Sequence, residues 1–220
     1  MTRALILDFG GVVTRTLFET HDLTEAALGL PPGSLTWRGP FEPETDTLWQ
    51  DMQAGKLSER DYYATRTVEV GWMIGQDWTE MAQFVRAARG ADPDAVIRPE
   101  FRAAIDAAAV SGIRLAILSN ELDLFYGADF RDKLPFLERF EVIEDATYSG
   151  ILKPDPRAYQ ACLNRLGLPA NACVFVDDQQ RNVDGAIALG IPTVKFDVAD
   201  PATGYQTALQ MLGVTEELSS

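Results

Sequence analysis

The sequence predicts an α/β fold built on a parallel sheet, and three observations lead there. Short apolar runs, ALIL before Asp8, RLAIL before Ser119 and CVFV before Asp177, each have the length of a fully buried parallel strand, and each ends abruptly in polar chemistry. From Pro99 onward such runs alternate with helical patterns, the order that yields parallel strands joined by crossover helices. Residues 15 to 96 lack short apolar runs and show helical punctuation instead.

Asp8 ends the first strand, and Gly10 and Gly11 behind it allow a tight turn in which the backbone comes close to a ligand. Within 15–96, Asp22 followed by Glu25 predicts a capping box ahead of AALGL, and SERDYY at 58–63 opens another helix. All four tryptophans, Trp37, Trp49, Trp72 and Trp78, fall in this stretch. Aromatic burial dominates small cores, so they are expected to form the core of the segment, the alternative being that one or two cover a substrate. After Pro99, PEFRAAIDAAAVSG reads as a helix ending at Gly112, and RLAIL follows as a strand. FEVI at 140–143 is the next strand, PDPRAYQACLNRLG a helix, CVFV a strand, VDGAIALG a helix and IPTVKF the last strand. A helix with a frayed acidic end is expected after Asp200.

With 220 residues, 46% hydrophobic and 24% charged, the chain can bury a sizeable core as one large or two small domains. Lys and Arg number 19 against 33 Asp and Glu, a formal net charge of −14. Nucleic-acid affinity comes mostly from neutralising phosphates, so DNA and RNA are excluded as expected partners. The same field repels a small phosphorylated substrate, and binding one requires a local cation; Lys153 with a divalent metal would serve. The opening MTRALILDFGG has four consecutive apolar residues before Asp8, too few for a signal peptide or a membrane span, and a cytoplasmic location is expected. Cys162 shares a helical stripe with Tyr159, Leu163 and Leu166, and Cys173 opens a strand, so both thiols read as buried hydrophobes.

A carboxylate such as Asp8 at a strand end can serve as nucleophile and metal ligand together. Ser119 can donate its hydroxyl, and Asn120 its backbone N–H, to a phosphoryl oxygen. A cation at Lys153 would neutralise both Asp8 and an incoming phosphate. Asp177 and Asp178 are adjacent acids directly after an apolar strand, and they repel each other unless a cation is present.

DFGGV at 8–12, LSN at 118–120, KPDPRAY at 153–159 and VDDQQRN at 176–182 resemble the four ordered motifs of the haloacid dehalogenase superfamily, most nearly its helical-capped phosphatases. The resemblance implies a doubly wound, Rossmann-like core, residues 1–14 and 97–220, with a helical cap at 15–96. It further implies an aspartyl-phosphate intermediate and Mg²⁺, with Asp8 as nucleophile and metal ligand. Metal ligation would also fall to the carbonyl of Gly10 and to Asp178, with Asp177 acting through water and Asn182 orienting the loop. The partner implied is a small phosphorylated metabolite.

Gly10 departs from the pattern, since related phosphatases usually carry a second Asp there as general acid and base. General acid–base catalysis contributes ~10²–10⁴-fold, so slow turnover of alkyl phosphates is expected, and activated substrates such as anomeric or acyl phosphates should suffer least. Glu121 is a conceivable stand-in but is expected on the surface, as is His21, the single histidine. Two other readings fit the motifs: a metal-independent 2-haloacid dehalogenase in which Asp8 attacks carbon, and a non-catalytic phosphometabolite-binding or interaction domain.

Overall fold

A computed structural model describes residues 2–89 and 93–214. Five parallel strands form one sheet in the order β3-β2-β1-β4-β5: β1 Ala4–Leu7, β2 Arg114–Ser119, β3 Val142–Asp145, β4 Cys173–Asp177 and β5 Thr193–Lys195. Leu7 lies beside Ile117 on one side and Val176 on the other, so β1 is central and the strand order reverses there. Every residue of β1 and β4 is buried, which is why Ala4–Leu7 and 173–176 are continuous apolar runs rather than alternating ones. The last strand is shorter than IPTVKF suggests, and β3 starts two residues later than FEVI. Phe140 instead ends the 3₁₀ turn Pro135–Arg139 and stacks on Phe101, their ring centroids 6.2 Å apart.

The chain divides into two compact units, one of residues 1–15, 97–123 and 131–220, the other of 16–96 and 124–130. The second unit is helical: α1 His21–Leu28, α2 Thr47–Gln53, α3 Glu59–Met73 and α4 Met81–Arg89. Relative to the expected 15–96 segment, Arg15 groups with the sheet, and the stretch 124–130 groups with the helices. Tyr63 meets Phe125 edge to face at 5.7 Å, which accounts for the second difference. The expected capping box at Asp22 and Glu25 does not form. Asp22 lies inside the first turn of α1, and Glu25 accepts the backbone N–H groups of Gly33 and Leu35, both at 2.8 Å, to pin the following loop. A capping box does form at the start of α3, between Ser58 and Asp61. Trp37 and Trp49 are buried in the core of this unit, against Phe18 and Tyr62, and Trp78 packs partly buried beside them. Trp72 is 71% exposed, a correction to the expectation that all four form the core.

Six helices follow: α5 Pro99–Val110, α6 Leu122–Tyr126, α7 Ala146–Ser149, α8 Pro156–Leu166, α9 Gln180–Ala188 and α10 Pro201–Met211. One face of the sheet, carrying Ala4, Ile6, Ala116, Leu118 and Phe175, packs on Tyr159, Cys162 and Leu166 of α8 and Ala186 of α9. Alternation along the strands turns Leu5, Leu7 and Val176 to the other face, which α5 and α10 cover. The sheet is therefore covered on both sides, as a doubly wound α/β fold requires. Both cysteines are free and buried, and burial raises the Cys162 thiol to about 12 and that of Cys173 to about 11. The acidic end expected after α10 lies outside the described residues. No helix among the described residues is long and apolar enough to cross a membrane.

Candidate active site

In open α/β sheets, ligands meet the carboxyl ends of the strands where the order reverses. Here that place is the end of β1 and β4. The backbone N–H of Asp8 still bonds to Val176 O at 2.9 Å, and the chain then turns sharply within Phe9–Val13, closed by Thr14 N to Phe9 O at 3.1 Å. Gly11 has φ +81, the left-handed conformation that glycine adopts without strain. Gly10 has φ −70 and ψ 126, available to any residue, and a Cβ built there meets no atom within 4 Å. Glycine at position 10 is thus forced neither by conformation nor by space.

Lys153 reaches this turn from the loop before α8, its side chain only 1% exposed. Its ammonium donates to Asp8 Oδ1 at 2.8 Å and to Asp177 Oδ2 at 2.7 Å. Asp177 also accepts the backbone N–H of Gln179 at 2.8 Å, and the Asn182 amide donates to both of its oxygens at 3.1 Å. Tyr159 secures Asn182 in turn by donating to its carbonyl at 2.7 Å. Asp8, Asp177 and Asp178 each present a carboxylate oxygen, all within 4.8 Å of one another. Ser119, buried, ends β2 beside β1, two residues beyond the partner of Leu7. Asn120 follows it, and its side chain pairs with the main chain of Lys153 in both directions.

Electrostatics follow from this packing. Burial raises the Asp8 carboxyl to about 7, Lys153 pulling it down and Asp177 pushing it further up. Burial also works against the charge on Lys153, but Asp177 and Asp8 outweigh it and hold the ammonium above its ordinary value. With all three carboxylates ionised against one ammonium, the cluster carries two negative charges, 3 − 1 = 2, a state that a bound cation favours. Hard oxygen donors with that surplus fit a small divalent cation such as Mg²⁺. Both oxygens of Asp177 already accept from protein donors.

Two residues depart from the expected surface positions. Glu121 is 4% exposed and His21 5% exposed. His21 packs edge to face on Trp37 at 4.3 Å within the helical unit, and its Nδ1 faces Arg38 Nη1 at 3.4 Å. Burial, with Arg38 adding repulsion, lowers its imidazolium to about 4. Residues the sequence did not point to also shape the turn after Asp8. Buried Arg98 donates from Nε to Gly11 O at 3.0 Å, its backbone N–H bonds to Val13 O, and Tyr205 donates to Val12 O at 2.5 Å. Asp145, at the end of β3, accepts the backbone N–H groups of Leu122 and Asp123 and an Arg131 bond at 2.9 Å, holding the segment after Asn120. No local pattern distinguishes these from ordinary surface charges, since their partners lie far along the chain.

A doubly wound parallel sheet with a tight turn, a buried lysine and clustered carboxylates at its switch point is a Rossmann-like α/β core with a candidate ligand site at its strand ends. The family comparison is specific: the model of the haloacid dehalogenase-like hydrolases matches residues 2–190, and the chain belongs to that family. Acyl-CoA dehydrogenase family member 10 of Mus musculus is 37% identical over 112 residues, 50% of this chain and 10% of that protein. The chain spans half or less of the first such relatives, 10%, 48% and 46% of their lengths. Sesquiterpene phosphatase astK of Aspergillus oryzae is 26% identical over 96% of this chain and 97% of its own. Among solved structures, a family enzyme of Bacteroides thetaiotaomicron in complex with magnesium and inorganic phosphate has TM-score 0.51 and 17% identity, covering 90% of this chain and 96% of that one. An L-2-haloacid dehalogenase of Xanthobacter autotrophicus has TM-score 0.59 and 16% identity, covering 100% and 85%. At these identities the two structures speak to the fold alone.

Proposed function

We propose that the chain is a Mg²⁺-dependent phosphatase of a small phosphorylated metabolite, working through an aspartyl-phosphate at Asp8. The observation that carries this reading is the ammonium of Lys153 shared between Asp8 and Asp177, with Asp178 in the same 4.8 Å cluster. A phosphoryl group is the substrate fragment whose charge such a cation balances. The name of the Aspergillus relative supports the reading.

Asp8 attacks phosphorus in line, the ester bond breaks with its electron pair leaving on the alcohol oxygen, and water then releases phosphate and restores the carboxylate. Lys153 neutralises Asp8 and draws in the phosphoryl oxygens, while the Ser119 hydroxyl and the Asn120 backbone N–H donate to them. Asp8, Asp178 and the Gly10 carbonyl would hold Mg²⁺, which would supply charge neutralisation of the substrate phosphate. Asp177, saturated by donors, fixes the lysine. In this reading the helical segment expected at 15–96 acts as a cap that selects the substrate.

A panel of phosphorylated metabolites assayed with Mg²⁺ and with EDTA tests this. Activity is expected with Mg²⁺, absent in chelator and absent in Asp178→Ala. The second reading that the motifs allow has its own outcome: halide release from 2-haloacids that persists in EDTA would replace the phosphatase with a metal-independent dehalogenase.

A further inference from the structure

We propose that the side chain of Asn120 is a positioning clamp for Lys153, setting where the ammonium stands between Asp8 and Asp177. The Lys153 backbone N–H donates to Asn120 Oδ1 at 2.6 Å, and Asn120 Nδ2 donates to Lys153 O at 3.2 Å. The two residues are 33 apart in the chain, and Lys153 lies between α7 and α8, where no regular ladder fixes its main chain. A side-chain amide offers one donor and one acceptor in a plane, the complement of the N–H and C=O that Lys153 presents. Aspartate offers two acceptors, one of which would face the Lys153 carbonyl, and serine cannot make both bonds at once from a fixed position.

The far end of the lysine is held by different means, its ammonium bonded to Asp8 and Asp177. Asp177 is itself anchored by Gln179 and Asn182, so it belongs to the rigid end of β4. Two asparagines therefore act on the same pair from opposite sides: Asn182 fixes the counter-ion and Asn120 fixes the backbone that carries the cation. The burial of Lys153 leaves its stem little freedom, and a shift of its Cα is passed to the ammonium. Whenever Asp8 is engaged elsewhere, one carboxylate tether is lost and the position of Lys153 depends on Asp177 and Asn120. The role of the ammonium in catalysis rests on the phosphatase reading, whereas the clamp itself does not.

The experiment uses full-length protein labelled with ¹⁵N-lysine, comparing wild type with Asn120→Asp and the milder Asn120→Ser. A buried ammonium held by two carboxylates exchanges slowly with water, so wild type should show a Lys153 ammonium signal, and both variants should lose or shift it. Inorganic phosphate binding with Mg²⁺, measured on the same samples, should weaken about tenfold or more, the scale of a misplaced charged hydrogen bond. An unchanged ammonium signal in both folded variants, or none in wild type, overturns the clamp. Wild-type protein that shows the signal and its loss in the variants yet binds no phosphate keeps the clamp and removes the phosphatase reading instead.

Discussion

Gly10→Asp is the perturbation that most directly examines the proposed chemistry. The backbone at position 10 already has φ −70 and ψ 126, and a Cβ there meets nothing within 4 Å, so the side chain enters without a clash. Replacing glycine at a compatible conformation gains roughly 0.4–1 kcal/mol through the unfolded chain. A fourth carboxylate near Asp8, Asp177 and Asp178 costs on the order of 1–3 kcal/mol of repulsion at an effective dielectric near 20. The variant should therefore fold, slightly destabilised. Its gain lies in the barrier: a positioned acid and base is worth ~10²–10⁴-fold, or about 2.7–5.4 kcal/mol. A good leaving group departs from the native enzyme without protonation, but the water that attacks the intermediate still needs a base. Native protein should give a burst of leaving group from p-nitrophenyl phosphate in rapid-mixing experiments, followed by slow turnover with phosphate held on Asp8. Gly10→Asp should remove the burst and accelerate alkyl phosphates more than activated ones. Equal acceleration of both classes, or native kinetics with no burst and a steep dependence on leaving-group pKa, would refute the argument and assign the base to another residue.

Three further outcomes follow from the packing. His21, lowered to about 4 from the 6.5 of an unfolded histidine, makes the unfolded chain bind more protons between those values. Its contribution is fully present above pH 6.5 and is lost as pH falls toward 4, by roughly 3 kcal/mol. Asp8, raised to about 7, acts in the opposite sense over much of the same range, so the measurement is the difference in urea-unfolding stability between wild type and His21→Gln. A difference that does not change with pH would contradict the buried, neutral imidazole. Asp46→Ala removes the buried partner of Arg66 at 2.6 Å and of the Tyr62 hydroxyl at 2.8 Å, together with the cap of α2. A loss of about 3–5 kcal/mol is expected in chemical denaturation, and less than about 0.5 would mean that Glu69 alone satisfies the guanidinium. Trp72, 71% exposed, should dominate quenching of tryptophan emission by iodide, so Trp72→Phe should leave Trp37 and Trp49 largely protected. Undiminished quenching in that variant would place a second tryptophan at the surface.

The sequence by itself determined the strands that end at the candidate site, because a strand buried on both faces must be apolar along its run, and that pattern is local. It also pointed to Asp8, Lys153, Asp177 and Asp178, each standing where an apolar run or a Gly/Pro turn gives way to polar residues. Only tertiary structure decided which polar side chains go inside. Glu121 and His21 carry no local mark of burial, and Arg98 finds its acceptor at Gly11, 87 residues away. The Asp22–Glu25 pattern met the local rule for a cap, yet Glu25 bonds to Gly33 and Leu35 because the loop after α1 folds back onto it. Trp72 and Trp78 stand close together in sequence, but the face of α3 that carries Trp72 turns to solvent. Burial of a charge or an aromatic ring depends on partners brought together by the whole chain, whereas the period of a strand or helix is written in its own residues.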